Sequence, residues 1–218
     1  MLGDVLLIND LHRKAADSIY KYLIKAKSAK KRGYRFIVAI SGESGAGKSE
    51  LSHSLALLLK KNEMRVKILH TDNYYKIPPS DRTEWRKKYG VKKVGFKEYD
   101  WKQLNRNIKE FKEGREALMP CVDIVSQQTD KLITKFSDID ILVVDGLYAI
   151  KTRSVDLHVY IDLTYHETKK NIGKRGKENS DSFRFEVLEM EHQNIVTLKP
   201  KADLLVNKNY EVEEIKEL

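Results

Sequence analysis

One cysteine, Cys121, stands in 218 residues, so the chain can form no disulfide within itself. Such sparing cysteine use leads to the expectation of a reducing compartment. Set in an apolar run, Cys121 reads as a packed side chain rather than a nucleophile. The sequence has no long apolar segment and no recognisable secretory leader, which points away from a membrane and toward a cytoplasmic protein. Internal repeats and low-complexity tracts are missing as well. Solenoid and linker-type organisations are therefore excluded, and one compact unit is the expectation.

A chain of this length with 41% apolar residues is sufficient for one α/β domain with a substantial core. Its net charge of +9 could serve nucleic acid, a membrane surface or a small anionic ligand. The distribution of that charge decides. Lys25–Arg32 closes a helical pattern, whereas Arg82–Lys93 and Lys169–Lys177 lie where positive charge around phosphates would be used. Nucleic acid is the disfavoured partner. Oligomeric state, including a homo-oligomer, is left open.

The most informative segment is Gly42–Ser49, which reads Gly42, Glu43, Ser44, Gly45, Ala46, Gly47, Lys48, Ser49 and follows the apolar run Phe36–Ile40. The pattern is G-x-x-x-x-G-K-[ST]. Backbone N–H groups of such a loop form an anion-binding nest, and the positive end of the next helix adds to it. A triphosphate fits, with Lys48 reaching the β and γ phosphates and the Ser49 hydroxyl ligating Mg²⁺. The context agrees: Leu51, Leu55, Leu58 and Leu59 recur at helical spacing immediately afterwards.

Two carboxylates belong to the same expected edge. Asp145 ends the hydrophobic strand Ile141–Val144 and is the candidate second holder of Mg²⁺. Asp72 follows the strand Val66–His70, so parallel-sheet geometry brings it to the carboxyl edge where ligands bind. There it could orient an attacking hydroxyl and accept its proton. Tyr74, Tyr75 and Lys76 supply aromatic faces and a charge beside that acceptor.

Along the chain, apolar positions from Asp4 to Lys31 recur at helical spacing and predict an added N-terminal helix. Strands are expected at Phe36–Ile40, Val66–His70, Ile141–Val144, Val155–Ile161 and Ala202–Val206, most of them separated by helical patterns. Near-continuous apolar strands in that rhythm indicate a parallel sheet covered on both faces. Met119–Ser126 and Lys131–Phe136 break the rhythm and predict a projecting hairpin. The expected fold class is α/β, a three-layer P-loop NTPase fold with a central parallel sheet. Residues 1–33 form an N-terminal helical extension and 34–218 a single domain, with a hairpin at about 118–136 and a helical lid at about 165–182.

Together the loop, the Asp72–Lys76 segment, the hairpin and the strand before Asp145 resemble the uridine kinase and phosphoribulokinase family of P-loop kinases, over most of residues 34–208. Glu98–Trp101, Met119–Ser126, Lys174–Lys177 and Leu198–Val206 are similar to further segments of that family. The resemblance implies an ATP- and Mg²⁺-dependent kinase of a small hydroxyl acceptor. Asp72 would be its base and substrate ligand, and Lys170, Arg175 and Lys177 its phosphate-contacting lid cations, with Arg175 catalytic. The hairpin groups that recognise the pyrimidine in uridine kinases correspond here to Val122 and Gln127, and a second aromatic to Ile124. Lysines stand at 170 and 177 where the family favours arginine, and Asp145 stands where uridine kinases commonly carry glutamate.

Within that class a nucleoside or ribose-type acceptor is favoured over nicotinamide riboside, a sugar phosphate, pantothenate or glycerate. An acceptor that is already phosphorylated would call for extra cations on its side, and Arg82, Arg86, Lys87 and Lys88 could provide them; otherwise that stretch is a solvated helix face. Two other classes compete: an ATP-dependent regulatory protein without an acceptor, and a nucleic-acid-dependent ATPase.

Overall fold

A computed structural model describes residues 2–168 and 182–216 of the chain. Helix α1 (Asp10–Ser28) starts later than the apolar spacing predicts, because Asn9 caps it. The Asn9 side chain accepts from the His12 amide at 3.2 Å and His12 Nδ1 accepts from the Asn9 amide at 3.1 Å, a reciprocal box that satisfies two otherwise orphaned donors. The residues before it form an arm. Leu2 donates to Val122 O and accepts from the Ile124 amide, while the Leu7 amide reaches Glu50 Oε1.

Strand β1 (Phe36–Gly42) is buried along its whole length and leads through the glycine-rich loop into α2 (Lys48–Lys61). Its alternate side chains serve two layers. Phe36, Val38 and Ile40 pack with Ile19 and Leu23 of α1 and Leu51, Leu55 and Leu59 of α2. Ile37 and Ala39 face the other side, toward Leu104, Ile108 and Phe111 of α4 (Trp101–Glu113). Both faces of the strand are therefore dry. That double burial is why the strand reads as one apolar run rather than an alternating one.

The remaining elements are β2 (Val66–His70), α3 (Pro79–Tyr89), β3 (Glu116–Val122), β4 (Thr129–Lys135), β5 (Ile141–Asp145), β6 (Leu157–Ile161), α5 (Ser182–Val196), β7 (Leu204–Val206) and β8 (Val212–Glu214). The main sheet runs β2-β5-β1-β6-β7-β8, parallel except for the antiparallel β7/β8 pair. Strands β3 and β4 form the separate hairpin that the alternation predicts, from Glu116↔Lys135 to Val122↔Thr129. This is the three-layer α/β architecture expected, with β8 an addition that its three residues were too short to announce. Among the described residues no helix is long and apolar enough to cross a membrane.

Helix α3 is the largely solvated face its charge suggests, with one exception at Arg86. Arg86 is buried and forks onto Glu98 at 2.7 and 2.9 Å, with Glu191 of α5 at 3.3 Å. Glu98 in turn accepts from the Gly95 amide. Removing the cation leaves two buried carboxylates facing each other, a loss far larger than that of a surface pair. Arg86→Met is expected to lower stability by about 3–5 kcal/mol. Urea denaturation reads this as a fall in midpoint at constant slope; a loss under about 1 kcal/mol would show the pair to be dispensable.

Candidate functional site

The glycine-rich loop leaves β1 and enters α2 through Gly47, whose φ of 76° lies in the left-handed region. Space is as restrictive as the angle there. A Cβ on Gly47 would meet Tyr210 Oη at 2.2 Å and His12 Nε2 at 2.8 Å. Tyr210 donates to Ala46 O at 2.9 Å and lies 3.3 Å from His12 Nε2. The loop is thus braced from behind by the C-terminal segment and by α1. Gly42 is tight for a similar reason, since a Cβ would come within 3.0 Å of the Ile161 side chain.

Within the loop Lys48 Nζ donates to Glu43 O at 2.8 Å. Glu43, expected at the nucleotide, turns its carboxylate into the protein, where it accepts from the Tyr165 amide at 2.7 Å and faces His192 Nδ1 at 2.6 Å. Ser44 O accepts from Thr168 Oγ1 at 2.8 Å. Only the backbone of Glu43 faces the nest, and its side chain fixes the loop to α5.

Asp145 ends β5, in register with Ile40 of β1 and His70 of β2. It is 2% exposed. One oxygen, Oδ2, lies 2.9 Å from His70 Nδ1, and the other, Oδ1, is buried with no hydrogen bond among the described residues. Burial disfavours its charge, but the hydrogen bond and charge of His70, then Lys48 and Ser49, hold the carboxyl below the usual aspartate range. An ionised carboxylate with an orphaned oxygen beside Ser49 fits a hard cation shared with phosphates. Among the described residues no group of three or more His, Cys, Asp or Glu side chains could hold a metal ion unaided. His70 escaped the sequence reading, as did His53, whose ring stacks on it at 5.7 Å and whose Nδ1 lies 2.8 Å from Ser49 O. Their only signal was position, at a strand end and one turn into α2.

Asp72 lies in the 3-10 turn Thr71–Tyr74 that follows β2. It borders a cavity of about 260 Å³ whose walls include Tyr75, Lys76, Arg82, Val122 and Thr129. That is just below the range of about 300–1,000 Å³ usual for drug-sized ligands and leaves room only for a small acceptor. A larger, shallower depression of about 500 Å³ surrounds Arg65 and Asp138 at the opposite sheet edge and holds none of these groups. Val122 is fastened from two sides, its amide donating to Asn73 Oδ1 at 3.2 Å and its carbonyl accepting from Leu2. The hairpin is thereby tied to the Asp72 turn as a wall of the cavity. Tyr75 accepts from Tyr99 Oη at 2.6 Å. Burial, followed by nearby Glu191 and Asp72, pushes the Tyr75 phenol well above its ordinary value, so it stays a neutral wall.

Of the residues expected at an acceptor, Asp72, Tyr75, Lys76 and Val122 come together. Two do not. Tyr74 is 2% exposed and turns into the core, donating to Asn107 Oδ1 at 2.9 Å. Gln127 is exposed in the hairpin turn at φ 58° and does not reach the cavity. Lys170, Arg175 and Lys177, with the rest of Lys174–Lys177, lie outside the described residues.

The description "Phosphoribulokinase / Uridine kinase family" belongs to the family whose sequence pattern matches residues 37–173. The uridine kinase of Mycoplasma genitalium is 31% identical over 111 residues, which cover 51% of this chain and 51% of that protein. The uridine kinase of Macrococcus caseolyticus is 23% identical over 183 residues, 78% of this chain and 86% of its own length. The chain thus spans about half the length of the first relative and most of the second. Among solved structures, a possible uridine kinase from Bacillus stearothermophilus superposes with a TM-score of 0.61 at 20% identity, covering 88% of this chain and 97% of its own. A D-glycerate 3-kinase from Cryptococcus neoformans gives 0.62 at 14% identity, with 95% and 100% covered. At such identities the superpositions establish the fold.

Proposed function

Because the chain belongs to the phosphoribulokinase / uridine kinase family, we propose that it is a small-molecule kinase that moves the γ-phosphoryl group of ATP, with Mg²⁺, onto a hydroxyl of a nucleoside or ribose-type acceptor. The observation that carries this reading is the position of Asp72: it borders a small, half-open cavity at the carboxyl edge that also carries Lys48 and Asp145.

The roles follow from reach and charge. Lys48 and the loop amides hold the β and γ phosphates, and Ser49 with Asp145 holds the metal ion. Mg²⁺·ATP supplies the phosphoryl group and part of its charge compensation. Asp72 orients the acceptor hydroxyl and takes its proton as the oxygen bonds to the γ phosphorus; the bond to the β–γ bridging oxygen breaks, and ADP leaves with that electron pair. Lys170, Arg175 and Lys177 are assigned to charge neutralisation on the resemblance alone. Positioning and electrostatics account for most of the rate, since the protein forms no covalent bond.

Relatives named uridine kinase favour a nucleoside-sized acceptor. The apolar Val122 and distant Gln127 favour a base end unlike uridine's, because the Val122 side chain offers no hydrogen bond to a polar edge. The test is ADP release over nucleosides, ribose derivatives and hydroxy acids, with Lys48→Ala as the blank. Acceptor-dependent release above the blank is expected. Release that proceeds equally without any acceptor would contradict a kinase.

A further inference from the structure

Four cations of α3 were candidates for an acceptor-side charge, and their environments separate them. Arg86 is committed to Glu98 and Glu191 beneath the helix. Lys87 pairs with Glu84 at 3.1 Å, and Lys88 lies 5.4 Å from the Tyr89 ring centre. Neither Lys87 nor Lys88 borders the cavity. Arg82 does. Its guanidinium carbon sits 3.5 Å from the centre of the Tyr75 ring, and one nitrogen, Nη2, donates to Ile77 O at 3.2 Å.

Stacking and one hydrogen bond fix the plane of the fork and use one of its five donors. Nε is shielded from water and has no acceptor among the described residues. No carboxylate among those residues lies within ion-pair distance of Arg82 or of Lys76, which donates to Lys97 O. The cavity wall therefore carries two cations, Arg82 and Lys76, against the single carboxylate Asp72. A half-buried guanidinium without a counter-charge is unfavourable, and its planar, preorganised donors match a carboxylate or phosphate.

On this geometry we infer that the acceptor carries an anionic substituent, a phosphate ester or a carboxylate, bound by Arg82 at the end of the cavity away from the hydroxyl that Asp72 orients. The inference rests on the kinase reading for the identity of the site, but the binding of the anion does not. A neutral nucleoside fills the same volume and leaves the guanidinium without a partner. An anionic ribose-type or hydroxy-acid acceptor satisfies it. Arg82 is thus a specificity-determining residue, set by a helix that Arg86 anchors one turn later.

The test is calorimetric binding to the full-length protein, with the glycine-rich loop filled by a non-hydrolysable ATP analogue and Mg²⁺ so that the probes cannot occupy it. Ribose 5-phosphate is compared with ribose, and glycerate with glycerol. At least one anion should bind about 10- to 100-fold more tightly than its neutral partner; which of them does so separates a phosphate site from a carboxylate site. Arg82→Gln should abolish the preference while leaving affinity for the ATP analogue unchanged, and Arg82→Lys should restore part of it. Equal affinity for charged and neutral probes in the wild-type protein overturns the inference without any variant. So does a preference that survives in Arg82→Gln. The kinase reading fails separately, if a bound anionic probe is never phosphorylated when ATP replaces the analogue.

Discussion

Asp72→Asn is expected to lower acceptor phosphorylation by about 10²- to 10⁴-fold, the range a positioned general base contributes, while ATP affinity should stay within about twofold of wild type. The substitution keeps the shape of the side chain and removes its charge and its capacity to take a proton. Asp72 accepts no hydrogen bond from the described residues, and the turn that carries it is held by its neighbours. Tyr74 anchors that turn through Asn107, and the Asp100 amide donates to Tyr74 O at 2.7 Å. The fold should therefore tolerate the change, with an unfolding midpoint close to wild type. Steady-state turnover, nucleotide titration and thermal unfolding of the one variant check the three parts together. Were Asp72 only a turn residue, stability would fall and turnover per folded molecule would not.

Lys48→Ala should have the second large effect, a loss of about 10³-fold in turnover accompanied by weaker ATP binding, as expected when one charged donor is removed from the transferring group. Lys48 is the first residue of α2, where alanine is a strong helix former, so the element survives. Its one hydrogen bond to the described residues is to Glu43 O, within the loop itself. The two variants differ in diagnosis: Lys48→Ala should raise the KM for ATP as well as lower kcat, whereas Asp72→Asn should leave that KM alone. Equal behaviour in both would mean that the two residues do not divide the phosphate and acceptor ends between them.

The glycine-rich loop between strand and helix was legible because each of its requirements is local. An apolar run, a glycine-rich octet and a leucine-spaced helix follow one another in the chain, and β1, the loop and α2 follow one another in space. Asp145 and Asp72 were legible because parallel strands deliver their last residues to one edge. What depends on distant partners was not. Arg86 looks like one charge of a solvated run until Glu98 and Glu191 arrive from 12 and 105 positions away. Tyr74 and Tyr75 are adjacent, yet one faces the core and the other the cavity, because a 3-10 turn has no period long enough to assign faces. The apolar spacing of Val5, Leu6 and Ile8 continues that of α1, but the Asn9 box and the backbone bonds of Leu2 to the hairpin hold those residues out of the helix. His70 and Tyr210 brace the site through contacts with Asp145 and Ala46 that no spacing encodes.

The central claim is that a phosphoryl group leaves ATP and arrives on a small hydroxyl acceptor held beside Asp72. It is tested most directly by following ATP labelled at the γ position through a reaction with the acceptor found in the ADP-release screen. The account predicts label in a phosphate ester of that acceptor, with the ester absent in Lys48→Ala and reduced at least about 10²-fold in Asp72→Asn. Label recovered only as inorganic phosphate, at a rate indifferent to the acceptor or raised by RNA or DNA at low salt, would contradict it.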